Sequence, residues 1–169
     1  YYAEYSNVGE PAINMKAHPM ILPGVVNTTE LMHDLRDPEL EQRSKKAYAR
    51  ACHVMQNVKA YEKIAGKMFV YEWYQFDEAP QMPTPTLYAV GSRIRYYSAH
   101  NVLAYSGEMI GRSPVNDITA YLACQLLWDS KQNPGDIISE FYRLYFAESA
   151  APMKDYYLAL HDLSTFSTN

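Results

Sequence analysis

The chain has 169 residues, of which 48% are hydrophobic and 20% charged, with a formal net charge of -4; these are the figures of one globular domain able to bury a core. Lysine and arginine are scattered rather than gathered in a stripe, which excludes a nucleic-acid footprint, and no apolar run is long enough to cross a bilayer. Cys52 and Cys124 both fall in amphipathic stretches and read as small hydrophobes rather than a disulfide framework.

In chain order, residues 12–22 form a short mixed run broken by Pro19 and Pro23, expected to be a strand and its following loop. Asp37-Pro38 sets a capping residue before a proline. Ala47, Ala51, Val54, Val58 and Tyr61 then recur at helical spacing, and Gly66 supplies a C-cap. Residues 67–76, KMFVYEWYQF, are dense in aromatic and β-branched side chains, and their apolar character on both faces predicts a central strand. A helix from Thr84-Pro85 carries Leu87, Val90, Ile94 and Tyr97 on one face and gives way at His100-Asn101 to VLAYS, a further strand.

After a loop with Gly111 and Pro114, Asn116-Asp117 caps a helix reaching Trp128 that is apolar nearly all round and therefore expected to be buried. Asn133-Pro134 repeats the cap-then-proline signal ahead of Ile137, Ile138, Phe141, Leu144 and Tyr145. A last helix starts near Ser149 and carries Met153, Tyr156, Tyr157 and Leu160, while residues 164–169 are expected to fray. Strands alternating with helices imply an α/β fold with right-handed crossovers and a parallel sheet. Three or four strands do not close a barrel, which takes about eight, so the sheet is either small and open or completed by strands from elsewhere.

Residues 121–157, YLACQLLWDSKQNPGDIISEFYRLYFAESAAPMKDYY, resemble the string with which α-glucuronidases and their relatives in the domain-of-unknown-function 4838 family end their barrel. KMFVYEWYQF followed by prolines, and then RYYSAHNV and AYSGEM, resemble the sixth-to-eighth strand region of those relatives. The resemblance implies the C-terminal portion of a (β/α)8 TIM-type barrel over residues 1–130, with a helical extension of the same domain over 131–169. It also implies a secreted bacterial glycan-degrading parent, extracellular or periplasmic, whose remaining strands lie upstream or on a partner chain. The chain opens at Tyr1 without a methionine, as a processed chain or one beginning partway through a longer protein would.

Glycoside hydrolysis uses two carboxyl groups flanking the scissile bond, and barrel chemistry sits at the carboxyl ends of strands. Glu72 and Glu108 stand there. Glu72 is also the base position that the resemblance carries over, while the second base of those enzymes lies one strand earlier, where this chain has His18-Pro19-Met20-Ile21-Leu22 and no acid. Each has an alternative reading: Glu72 points outward to a helix, and Glu108 is a solvated loop acid. Strand alternation sends Tyr71 and Trp73 one way and Glu72 and Tyr74 the other, making Tyr74 the expected neighbour of Glu72.

Trp73 and Tyr105 join the candidate sugar-stacking wall, although each of the 16 tyrosines also suits core packing. Asp77 and Glu78 would contact substrate or be merely solvated. His18 is a site histidine after the first strand or a turn histidine beside Pro19. No metal or cofactor motif is present: HExxH, Cys-x-x-Cys, GxGxxG, a Walker loop and GxSxG are all missing from the sequence.

Three readings follow. The first is a glycoside hydrolase-like enzyme acting on poly- or oligosaccharide, including uronic-acid-bearing chains. The second is a non-catalytic saccharide-binding barrel, and the third an α-rich interaction module. Exposed sheet edges, and helix faces left partly uncovered near Leu126 and Phe141, predict self-association or a partner chain. Glu72→Gln is expected to spare folding and to lower turnover about a hundredfold, with Glu108→Gln costing less.

Overall fold

The computed structural model describes residues 15–27, 37–73, 87–108 and 114–166. Three strands, β1 (Gly24–Asn27), β2 (Met68–Trp73) and β3 (Val102–Glu108), lie side by side in the order β1-β2-β3, and both pairings are parallel. Between β1 and β2 run α1 (Leu40–Arg43) and α2 (Lys45–Ile64), and between β2 and β3 runs α3 (Leu87–Ser98). α4 (Pro114–Trp128), α5 (Pro134–Phe146) and α6 (Ala150–Phe166) complete the chain. The mixed α/β class, the parallel sheet and the central place of β2 are those expected.

Of the run 12–22 expected to hold the first strand, residues 12–14 lie outside the described residues and 15–22 are coil and turn; the first described strand, β1, is the β-branched GVVN just after Pro23. The predicted helix after Asp37 is interrupted: Ser44 adopts φ -154 and ψ 105, which ends α1 after one turn before α2 begins. Asp37 still acts as a local cap, its Oδ1 accepting from Glu39 N at 2.9 Å.

Two apolar clusters hold the layers together. Val25, Met68 and Val70 of the sheet pack against Leu40, Ala51, Val54 and Val58 of α1 and α2, with Tyr97 of α3 joining them. Leu87, Val90 and Ile94 of α3 instead face Ile118, Leu122 and Leu126 of α4 and Ile137, Ile138 and Phe141 of α5. Tyr105 of β3 touches both clusters.

Leu126 and Phe141 themselves are 0% and 6% exposed, because α5 closes over α4 while Met153 and Tyr157 of α6 pack on the same cluster, but the helix faces near them are partly uncovered, with Leu144 and Tyr145 of α5 exposed. The end of α4 departs from the expectation of a buried helix. Its apolar residues do not all turn inward, and Leu127 and Trp128 are exposed.

Asn133 caps α5 as its Asn-Pro signature predicts, with Oδ1 accepting from Gly135 N at 2.8 Å. Asn133→Ala removes that acceptor and is expected to destabilise the chain by about 1 kcal/mol. The change is read as a lower urea midpoint at unchanged slope.

No helix of the described residues is long and apolar enough to cross a membrane.

Candidate functional site

The two faces of the sheet have different fates. Val25, Val70 and Tyr105 are in register across the strands and point at the helix layer. Val26, Tyr71 and Ser106 form the next row and point the other way. Phe69 lies on this second face as well, its ring so close over Gly24 that a Cβ there would meet it at 3.2 Å. Among the described residues no helix packs on this second, open face, although parallel sheets are ordinarily covered on both.

Glu72 belongs to the helix-facing side. Its carboxylate is 1% exposed. Nε of Arg93, on α3, stands 3.1 Å from each carboxylate oxygen, and the Tyr105 hydroxyl donates to it at 2.6 Å. The Tyr97 hydroxyl donates to the other oxygen. Arg93 is itself 2% exposed. Charges so deeply removed from water persist only when paired and hydrogen-bonded, and this cluster meets that condition while tying β2, α3 and β3 together. Glu72 is therefore directed at a helix and presents no carboxylate to the open face, which replaces the expectation that it lines a cleft. Tyr105 does neighbour Glu72, as a partly buried hydroxyl donor.

Glu108 ends β3 on the open side. It pairs in register with Trp73 at the carboxyl end of β2, and the Tyr71 hydroxyl donates a hydrogen bond to its Oε2. Both residues are half-buried. The carboxylate–phenol pair of the open face is thus Glu108 with Tyr71, 37 residues apart in the chain. Tyr74, Asp77 and Glu78 lie outside the described residues, and of Trp73 the backbone register alone is described.

Among the described residues no strand precedes His18. It precedes β1, in a loop whose Ala17 N donates to Ile64 O at 2.8 Å, and its own Nδ1 accepts from Met20 N at 3.2 Å. With Ala65, Gly66 and Lys67 it rims a cavity of about 580 Å³ at the amino ends of the strands, the end opposite Glu108. It is the turn histidine of the alternative reading.

Cys52 and Cys124 are free thiols, the second of them exposed. Elsewhere, tyrosine hydroxyls serve the helix layer. Tyr121 donates to Glu140 and Tyr145 to Asp117, and each bond holds the phenol above its ordinary pKa because a neighbouring carboxylate disfavours the phenolate.

The parallel sheet, helices on one face, and a phenol bonded to a carboxylate where the strands end on the other face define a βα-repeat protein. A family model described as Domain of unknown function (DUF4838) matches residues 2–159, and the chain belongs to that family. No curated protein and no solved structure matches it.

Proposed function

We propose that the open face binds saccharide at the carboxyl ends of β2 and β3, as one part of a (β/α)8 barrel in a glycoside hydrolase-like protein acting on poly- or oligosaccharide. The observation that carries the reading is the hydrogen bond from Tyr71 to Glu108 on a face that no described helix covers. Strands in sequential order with the described crossover helices on one side are what a barrel wall would show, and this supports the reading, since barrel sites lie at the carboxyl ends of the strands.

A phenol offers an apolar ring to the C–H surface of a sugar, and a carboxylate accepts from its hydroxyls. The resemblance of residues 121–157 to α-glucuronidases supports sugar over other hydroxyl-rich ligands, and with it uronic-acid-bearing chains and an extracellular or periplasmic setting. Hydrolysis needs a second carboxyl group. Among the described residues Glu108 is the carboxylate brought to the open face, and Asp77 and Glu78 lie outside them. A non-catalytic saccharide-binding barrel is the second reading, favoured by the position of Glu72 on the helix side.

An array of neutral, acidic and amino oligosaccharides tests the proposal. The chain is expected to retain one chemical group of glycans, and Glu108→Ala and Tyr71→Ala are each expected to abolish that retention. An array that stays empty, or one bound equally by Glu108→Ala, would overturn it.

A further inference from the structure

The open face is uneven, and its relief follows from side-chain size. On β2 it carries the rings of Phe69 and Tyr71, and in register beside them on β3 it carries Ala104 and Ser106. The Phe69 ring leans the other way, over Gly24 of β1, and the Tyr71 hydroxyl reaches along the sheet to Glu108. The described residues thereby leave a low strip along β3, floored by Ala104 and Ser106 and bounded at its carboxyl end by Glu108. Ser106 is exposed on that floor.

We propose that Ser106 is a ligand-contacting residue of the saccharide site, its hydroxyl donating to an oxygen of the same sugar from which Glu108 accepts. The inference rests on the saccharide reading of the open face and deepens it, adding a hydrogen-bond donor to a site so far defined by an acceptor.

Residues two apart on a strand stand on one face about 7 Å from each other, so Ser106 and Glu108 address two positions of a ring-sized ligand rather than one atom. Their roles are complementary. A carboxylate accepts, whereas a serine hydroxyl also donates a proton. The Tyr71 hydroxyl has committed its proton to Glu108, and among the described residues the Ser106 hydroxyl has no hydrogen-bond partner. Position within the sheet adds to the case. Ser106 lies level with Val26 and Tyr71, where the interior of a barrel is ordinarily filled by bulky branched side chains. A hydroxyl at that level is unfavourable unless something bonds it. A sugar oxygen above the strip supplies that bond, and the small side chain leaves the sugar room to reach it.

Ser106→Thr and Ser106→Val make the test, because the two new side chains share a shape and differ in one hydroxyl. The probe is an oligosaccharide that the parent chain retains on the array, titrated by calorimetry against each variant. Ser106→Val is expected to bind it at least about tenfold more weakly than Ser106→Thr, the scale of removing one partner of a buried hydrogen bond. Ser106→Ala, which adds no bulk, is expected to weaken binding from the parent value by the same factor. Position 106 is exposed, so each variant is expected to keep the parent melting temperature, which confirms that the fold is intact. Equal affinities of Ser106→Thr and Ser106→Val, or parent-like affinity of Ser106→Ala, would overturn the assignment. If Glu108→Ala abolishes binding in the same series, the saccharide reading survives that failure. An array that the parent leaves empty, or binding that Glu108→Ala does not disturb, sinks the saccharide reading and the role of Ser106 with it.

Discussion

Arg93→Met is expected to lower stability by about 3–5 kcal/mol, because it strands the carboxylate of Glu72 in the interior without its counter-charge. At the sensitivity of a chain this size, that is a melting temperature lower by about 6–20 °C. The geometry makes the loss hard to relieve. Arg93 is 2% and Glu72 1% exposed, so water does not reach the pair, and the hydroxyls of Tyr97 and Tyr105 are already committed to the same carboxylate.

The loss belongs to the broken pair rather than to the missing arginine, which the double variant demonstrates. With Glu72→Gln added, no buried charge remains and a carbonyl oxygen still accepts from the two tyrosines. The double variant is therefore expected to be more stable than Arg93→Met alone, with an interaction energy of about 0.5–3 kcal/mol between the two sites. Additive losses in a calorimetric cycle would show that the pair is not coupled.

Much of this arrangement was legible along the chain. KMFVYEWYQF announced β2 and its central place, Asn133-Pro134 announced α5 with its cap, and the helical spacing of Leu87, Val90, Ile94 and Tyr97 announced α3. β1 was not legible. Four residues, GVVN, are too few to display a period, and they form a strand through their register with Phe69 to Glu72.

The relative alternation of Tyr71 against Glu72 was also readable, but its absolute sense was not. A strand apolar on both faces does not say which face the helices cover. That is decided by Arg93 and Tyr97, 21 and 25 residues further along. One signal was there to be used: Arg93 lies three residues after Val90 and four before Tyr97, on the inward side of α3, and a buried arginine there requires a carboxylate across from it. β3 likewise extends two residues beyond VLAYS, and this extension converts Glu108 from a loop acid into a strand-end residue facing Tyr71.

Under the proposed hydrolytic reading, Glu108→Gln is expected to reduce saccharide turnover about a hundredfold, the scale on which a positioned carboxyl group contributes to proton transfer. In the non-catalytic reading, the same variant abolishes binding without any turnover to lose. The amide keeps the shape of the side chain and an oxygen able to accept from Tyr71, and Glu108 belongs to neither apolar cluster. Its stability should stay within about 0.5 kcal/mol of the parent. Glu72→Gln is expected to behave in the opposite sense, losing stability through its partner Arg93 while the folded fraction keeps the site. This reverses the order that sequence position alone suggested.

The most direct test of the central claim is an amide shift map recorded on the chain with a glycan retained on the array. The account predicts that the largest changes fall on Tyr71 and Glu108 and on the neighbouring residues of the open face, Val26 and Ser106, with α2, α5 and α6 silent. Changes centred on the helix layer, or on the loop at His18, would contradict it.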